Sequence, residues 1–130
     1  RSDNERTENN IWIQADAEDL VFPDESFELV VAYGYHHCLS SKKSVQISIQ
    51  QLASCMKKGA LFVFCSFNSR NQDLRGHRSD FNPLLLPHDE WIEILSCFET
   101  LYIADSDLTE VHPDIGIEHT HSMTRFVGRS

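Results

Sequence analysis

Apolar residues in this chain fall into two kinds of pattern. Unbroken runs occur at Ile11-Trp12-Ile13, at Leu29-Val30-Val31-Ala32-Tyr33 directly after Glu28, and at Ala60-Leu61-Phe62-Val63-Phe64-Cys65. Runs of this length without polar alternation suit strands covered on both faces, as in parallel sheets. The first of them is expected to end at Asp16. From Ser44 to Met56, by contrast, Val45, Ile49, Leu52, Ala53 and Met56 recur at i, i+4, i+7, i+8 and i+11, which predicts a helix with one apolar stripe. Lys57 and Lys58 complement the negative end of that helix, and Gly59 suits a left-handed stop.

A second helix is expected near Pro87, with Asp89 and Glu90 in its first turn and Trp91, Leu95 and Phe98 on one face. The next strand is expected over Thr100 to Ala104 and the last over His119 to Val127. Polar stretches at 68–85 and 105–116 read as loops, and the first, carrying Arg70, Arg75, His77 and Arg78, is long enough to be functional or mobile. Pro23-Asp24-Glu25-Ser26 has turn chemistry between the first two strands, with Phe22 and Phe27 placed to pin it to the core. This order of elements predicts an α/β sheet whose last pair is antiparallel. Residues 1–10 read as a polar tail, and 11–130 are expected to belong to one domain.

Charge narrows the partners. Eleven basic against twenty acidic residues leave a net charge of −9, which disfavours nucleic acid and anionic membranes and points to a small-molecule partner. No apolar run is long enough to span a bilayer. Cys38, Cys55, Cys65 and Cys97 form no C-x-x-C pair, so a reducing, cytoplasmic compartment is expected.

Asp16 alone reads as a carboxylate capping a turn, but it stands in a longer pattern. Asp16-Ala17, Leu20, Phe22, Asp24, Ser26-Phe27 and Val30 fall in register with G-D-A-x-x-L-P-F-x-D-x-S-F-D-x-V. The segment resembles the class I, Rossmann-like S-adenosylmethionine-dependent methyltransferases, notably small-molecule enzymes of the ubiquinone and menaquinone biosynthesis type. Residues 57–61 also resemble that family's L-K-P-G-G-x-L, with Lys58 for the proline and Ala60 for the second glycine. The resemblance implies a Rossmann-like three-layer sandwich with sheet order 3-2-1-4-5-7-6, of which this chain covers strands three to seven, a C-terminal portion. It implies S-adenosylmethionine as cofactor, with Asp16 accepting from the adenine amino group, the Ala17 amide reaching the ring and Glu18 alongside. After the fourth strand, where doubly wound folds open their ligand crevice, Tyr33 and Tyr35 offer aromatic faces to a sulfonium and His36 is a candidate general base. Glu28, in place of the family's aspartate, is read as structural.

Gly34, Gly59, Gly76, Gly116 and Gly128 are all at least twelve residues apart, so the chain has no G-x-G loop to approach a cofactor. About half a cofactor site is expected here, and the chain alone is expected to be inactive unless upstream sequence supplies the rest. Two other readings compete. One is a non-catalytic, methyltransferase-like binding or regulatory module. The other is a metal-binding protein using His112, His119 and His121 with Glu110, Asp114 and Glu118 nearby; a polar hairpin explains that cluster equally, and no metal is assigned.

Overall fold

The structure, a computed structural model, describes residues 10–130. Its strands are β1 (Phe27–Tyr33), β2 (Met56–Gln72), β3 (Glu99–Val111) and β4 (Glu118–Arg129), and its helices α1 (Lys42–Ser54) and α2 (His88–Ile94). They form one sheet in the order β1-β2-β4-β3. β1 and β2 are parallel, with α1 as the crossover, while β2–β4 and β3–β4 are antiparallel. This is the expected 4-5-7-6 arrangement.

Ile11-Trp12-Ile13 does not form a strand. The segment has no regular structure, and its three side chains are 84%, 91% and 63% exposed. An extended segment must find backbone partners in a neighbouring strand. Among the described residues no strand lies beside it to supply them.

α1 begins where Ser41 caps it, its Oγ accepting from the Ser44 N–H at 3.1 Å. Val45 and Ile49 are fully buried, with Leu52 and Ala53 packed beside them. The expected stop at Gly59 is not where the helix ends. The chain leaves the helix at Cys55, whose carbonyl accepts from the Ser26 and Phe27 N–H groups at 2.8 and 3.1 Å, and Met56 already pairs with Phe27. Gly59 does take a left-handed conformation (φ +80°), but within the irregular start of β2, where its N–H donates to the Ser130 carbonyl. Lys57 is likewise paired with Glu28 rather than with a helix end.

Both helices lie on one face of the sheet. There Phe62, Phe64 and Phe126 meet Val45 and Ile49 of α1, Trp91 of α2 and Leu95 directly after it. The Trp91 indole also donates to the Phe67 carbonyl at 3.0 Å. On the opposite face Leu29, Val31, Tyr33 and Leu61 are 53%, 59%, 59% and 38% exposed. The runs read as buried on both sides are therefore covered on one, and two of the three expected layers are present among the described residues. Further along that open face, Cys65, Phe67 and Met123 are covered by Phe81, Leu85 and Leu108.

The polar stretches hold more strand than their composition suggested. β2 runs on to Gln72 and β3 to Val111. Arg70 ties the two together through Asp105 and Asp107, at 2.9 and 2.7 Å. Turn chemistry at Pro23 is as expected, with Ser26 Oγ donating to the Pro23 carbonyl and Phe22 set edge-on to Phe27.

Trp91 anchors α2 through both its area and its hydrogen bond. Trp91→Ala is expected to cost about 3–5 kcal/mol, measured as a lowered urea midpoint at unchanged slope.

Candidate functional site

The resemblance places the site after β1, where the chain turns out of the sheet. Gly34 takes φ +71°, and its N–H donates to the Cys65 carbonyl at 2.8 Å. That left-handed step suits glycine and releases the backbone into a single 3-10 turn over His36–Cys38. Tyr33 and Tyr35 are left 59% and 38% exposed beside it.

The two histidines face inward. His36 is fully buried, shares a 3.2 Å hydrogen bond with Ser48 of α1, and packs on Tyr35 and Phe64. Its Nδ1 has no partner among the described residues. Burial, and secondarily the neighbouring His37, pull its pKa down to about 4. A general base must reach the proton it removes, and this side chain has no exposed surface. The geometry gives His36 a packing role. His37 Nδ1 accepts from the Phe67 N–H at 3.2 Å, and its ring lies 4.1 Å from the Phe67 ring in parallel stacking. Its pKa is also lowered to about 4, chiefly by burial.

Asp16 sits on an exposed turn. Its Oδ1 accepts from the Glu18 N–H at 2.9 Å and its carbonyl from the Asp19 N–H at 3.1 Å. Gln51 of α1 grips the same turn from both directions, donating to the Glu18 carbonyl at 2.8 Å and accepting from the Leu20 N–H at 3.0 Å. Ala17 and Glu18 are half-buried. The Tyr35 hydroxyl is pushed up, first by burial and then by the charges of Asp16, Cys38 and Glu18. Asp16 and Glu18 thus act electrostatically on Tyr35, while Tyr33, Tyr35 and His36 are adjacent at the end of β1.

Beyond Tyr33 and Gly34 lies a cavity of about 340 Å³, walled by Cys38, Phe67, Phe81, Leu108 and Met123 and bordered by His77, Glu110 and His112. Asp16 to Glu18 do not line it. The arginines expected in the loop are each occupied, Arg75 by Asp73 at 2.6 Å and Arg78 by Asp80 at 3.2 Å, besides Arg70. Glu28, paired with Lys57, is held below the usual carboxylate range by that lysine, in keeping with a structural role.

Of the histidine and acid cluster near the C-terminus, Glu110, His119 and His121 come together, with His112 at the edge. Asp114 and Glu118 are exposed and stand outside it. His77 joins from the 68–85 segment. Nothing in its local sequence marked it, because it is brought in by a long-range contact; Gly76 beside it is the only trace, since a Cβ there would lie 1.8 Å from His119 Nδ1.

A methyltransferase-domain family model matches residues 1–64, just under half of the chain. No curated protein sequence matches it significantly. Among solved structures, an S-adenosylmethionine-dependent methyltransferase from Methanosarcina mazei superposes with TM-score 0.70 at 15% identity, over 89% of this chain and 65% of that one. A candidate methyltransferase from Bacillus halodurans gives TM-score 0.67 at 13% identity, over 91% and 76%. The cyclase SpnF gives 0.64 at 15%, over 89% and 55%. This is the Rossmann-like α/β fold. At these identities the likeness concerns the fold, and the cyclase shows that such a scaffold carries more than one chemistry. The chain spans about two thirds of the length of the Methanosarcina protein. All four cysteines are free, Cys55 and Cys65 buried and Cys38 and Cys97 exposed, and no helix among the described residues is long and apolar enough to cross a membrane.

Neutral His36 gives the Rossmann-like core an acid-sensitive point. Its folded pKa, about 4, lies below its ordinary value near 6.5, so its stabilising share is complete above about pH 6.5. That share is lost as pH falls toward 4, because the unfolded chain takes up a proton that the folded one refuses. His36→Phe is expected to flatten the fall of stability between those values by up to about 3 kcal/mol, measured by urea unfolding across the pH range.

Proposed function

We propose that this chain forms the adenine-side half of an S-adenosylmethionine site, in an enzyme that moves the methyl group to a small-molecule acceptor. The observation that carries this reading is the approach of the Asp16 turn to the loop after β1. The 16–20 turn, within the segment matching the methyltransferase-domain model over residues 1–64, is held by Gln51, and its carboxylates raise the pKa of the exposed Tyr35 after burial has done so. Asp16 accepts from the adenine amino group, the Ala17 amide donates to the ring, and Glu18 closes the turn. Tyr33 and Tyr35 present aromatic faces to the sulfonium, an attraction of about 0.5–2 kcal/mol depending on desolvation.

The acceptor enters the cavity beyond Tyr33. Transfer from a sulfonium is an in-line displacement, so much of the rate comes from holding the nucleophile a few ångströms from the methyl carbon in a site that excludes water. Phe67, Phe81, Leu108 and Met123 supply apolar walls. His36 acts by bracing Tyr35 from below. We assign the chain to the ubiquinone and menaquinone type of small-molecule enzyme on the motif alone, and to a reducing, cytoplasmic compartment on its free cysteines. The missing G-x-G loop leaves the phosphate-side equivalent of the site, here the methionine and ribose half, to sequence outside these 130 residues. A non-catalytic binding module is the second reading, favoured by the same missing loop.

In a titration of the 15N-labelled chain with S-adenosylmethionine, the amides of residues 16–20 and 34–38 are expected to shift with a Kd of about 1 mM or weaker. Asp16→Ala should abolish those shifts. An unchanged spectrum at about 10 mM cofactor, or shifts confined to other segments, would overturn the assignment.

A further inference from the structure

The cluster at the free end of the β3–β4 hairpin has the composition and orientation of a metal site. His77, Glu110, His119 and His121 each offer one ligand atom, all within 4.8 Å of one another. Glu110 Oε1 lies 3.7 Å from both His119 Nε2 and His121 Nε2. His77 Nε2 and His121 Nε2 are 2.7 Å apart. The side chains of His119 and His121 are fully buried.

Hydrogen bonds outside the cluster decide which ring nitrogens face into it. His119 Nδ1 lies 2.8 Å from the Ile117 carbonyl, which can only accept, so Nδ1 carries the proton and Nε2 the lone pair. His121 Nδ1 lies 2.8 Å from Gln72 Oε1. The Gln72 amide is itself oriented by its Nε2, which donates to the Asn68 and Ser122 carbonyls. His121 Nε2 is therefore also a lone pair directed inward. This is the arrangement by which outer hydrogen bonds hold metal-ligating imidazoles.

One proton is shared inside the cluster, across the 2.7 Å His77–His121 contact, and none reaches His119. His119 Nε2 is buried with no hydrogen-bond partner, and a carboxylate oxygen faces it and His121 Nε2 at distances too long for hydrogen bonds. The buried His119 lone pair opposed to a carboxylate oxygen is unfavourable unless a cation lies between them. Gly76 leaves no room to relieve this by swinging His119 outward, because even a Cβ at that position would overlap the ring.

We propose that His77, Glu110, His119 and His121 bind one divalent first-row transition ion, with zinc the ion best suited to three imidazoles and one carboxylate. Zinc takes such donors at about 2.0–2.2 Å in a tetrahedron, which sets neighbouring ligand atoms about 3.3 Å apart. The 3.7 Å separations close slightly around the ion, and the His77–His121 contact opens by about half an ångström. To ligate through Nε2, a neutral His77 moves its proton to Nδ1, and an imidazolium releases its Nε2 proton to solvent while keeping the one on Nδ1. Four protein ligands leave no open position, so the role is to staple the segment carrying His77 to the β3–β4 hairpin. The proposal is independent of cofactor binding.

Zinc titration of the chelator-treated 130-residue chain at pH 7.5 is expected to show one Zn2+ per chain with a Kd of about 1 µM or tighter, and a thermal midpoint that rises with Zn2+. His119→Gln should weaken binding by about 100-fold or more, and Gln72→Ala by about 10- to 100-fold. His77→Gln, at a half-buried position, is the variant that keeps its fold and should lose the ion too; circular dichroism without metal checks that it does. Co2+ should give a tetrahedral d–d spectrum with no thiolate charge-transfer band. Binding no tighter than about 0.1 mM, binding untouched by His77→Gln in a folded chain, or a thiolate band tracing the ion to Cys38 or Cys97 would overturn the proposal.

Discussion

The pairing of β2 with β4 is the contact to which every other part of the molecule is referred. In register from Leu61–Arg129 to Phe67–Met123, it places Phe64 opposite Phe126 on the helix face and Phe67 opposite Met123 on the other. Side chains alternate along a strand, so one register decides both surfaces at once. A slip of β4 by one residue would carry Phe126 off the helix face and turn His119 and His121 toward it. The pairing does not stop at Phe67. After an irregularity it resumes at Gln72–His121, and Ser122 Oγ fills the gap by donating to Asn68 Oδ1 at 2.6 Å while accepting from the Asn71 N–H at 2.8 Å. A polar network thus continues the sheet where apolar pairing ends, and it delivers Gln72 to His121.

Elements whose signal is local were legible in the sequence. The helical stripe of Val45 and Ile49 and the apolar runs of β1 and of residues 60–65 depend on periodicity within a dozen residues and form the expected elements, and Trp91, Leu95 and Phe98 are buried as expected although the α-helix ends at Ile94. The errors occur where the answer depends on a distant partner. Ile11 to Ile13 has strand composition and no strand to pair with. Residues 68–72 and 105–111 have loop composition but hold strand geometry: β4 offers 105–111 a ladder and pairs with Gln72, Leu86 pairs with Asn68 and Ser69, and Arg70 bridges Asp105 and Asp107. Gly59 was legible as a left-handed residue, though not that Phe27 would capture the chain at Met56 before the helix reached it. For the site, motif register pointed to the Asp16 turn, while Gln51, which holds it, gave no sign; a glutamine on a helix is ordinary until its fold neighbour is known. The i, i+2 spacing of His119 and His121 correctly placed them on one strand face, whereas His77 could be found only through tertiary contact.

The two candidate sites meet at one side chain. Phe67 stacks on His37 at 4.1 Å and on His121 at 4.3 Å, with the planes 6° and 18° apart. His37 belongs to the turn that presents Tyr35, and its carbonyl accepts from the Leu84 N–H at 2.7 Å, so the segment covering the cavity is tied to that turn as well. Backbone and ring therefore pin the same residue from opposite sides: the Phe67 N–H donates to His37 and the Phe67 carbonyl accepts from Trp91. Stacked rings at van der Waals separation in a densely packed interior shift little without repacking. Whatever order His121 has, through its hydrogen bond to Gln72 or through an ion, is thus passed by direct contact to the wall of the cavity and to the turn beside Asp16. The residue that joins the helix core, the histidine cluster and the loop after β1 is one whose own sequence context, Ser66-Phe67-Asn68, reads only as the end of an apolar strand. Its importance follows from where β2 crosses β4 and from nothing in its neighbours along the chain.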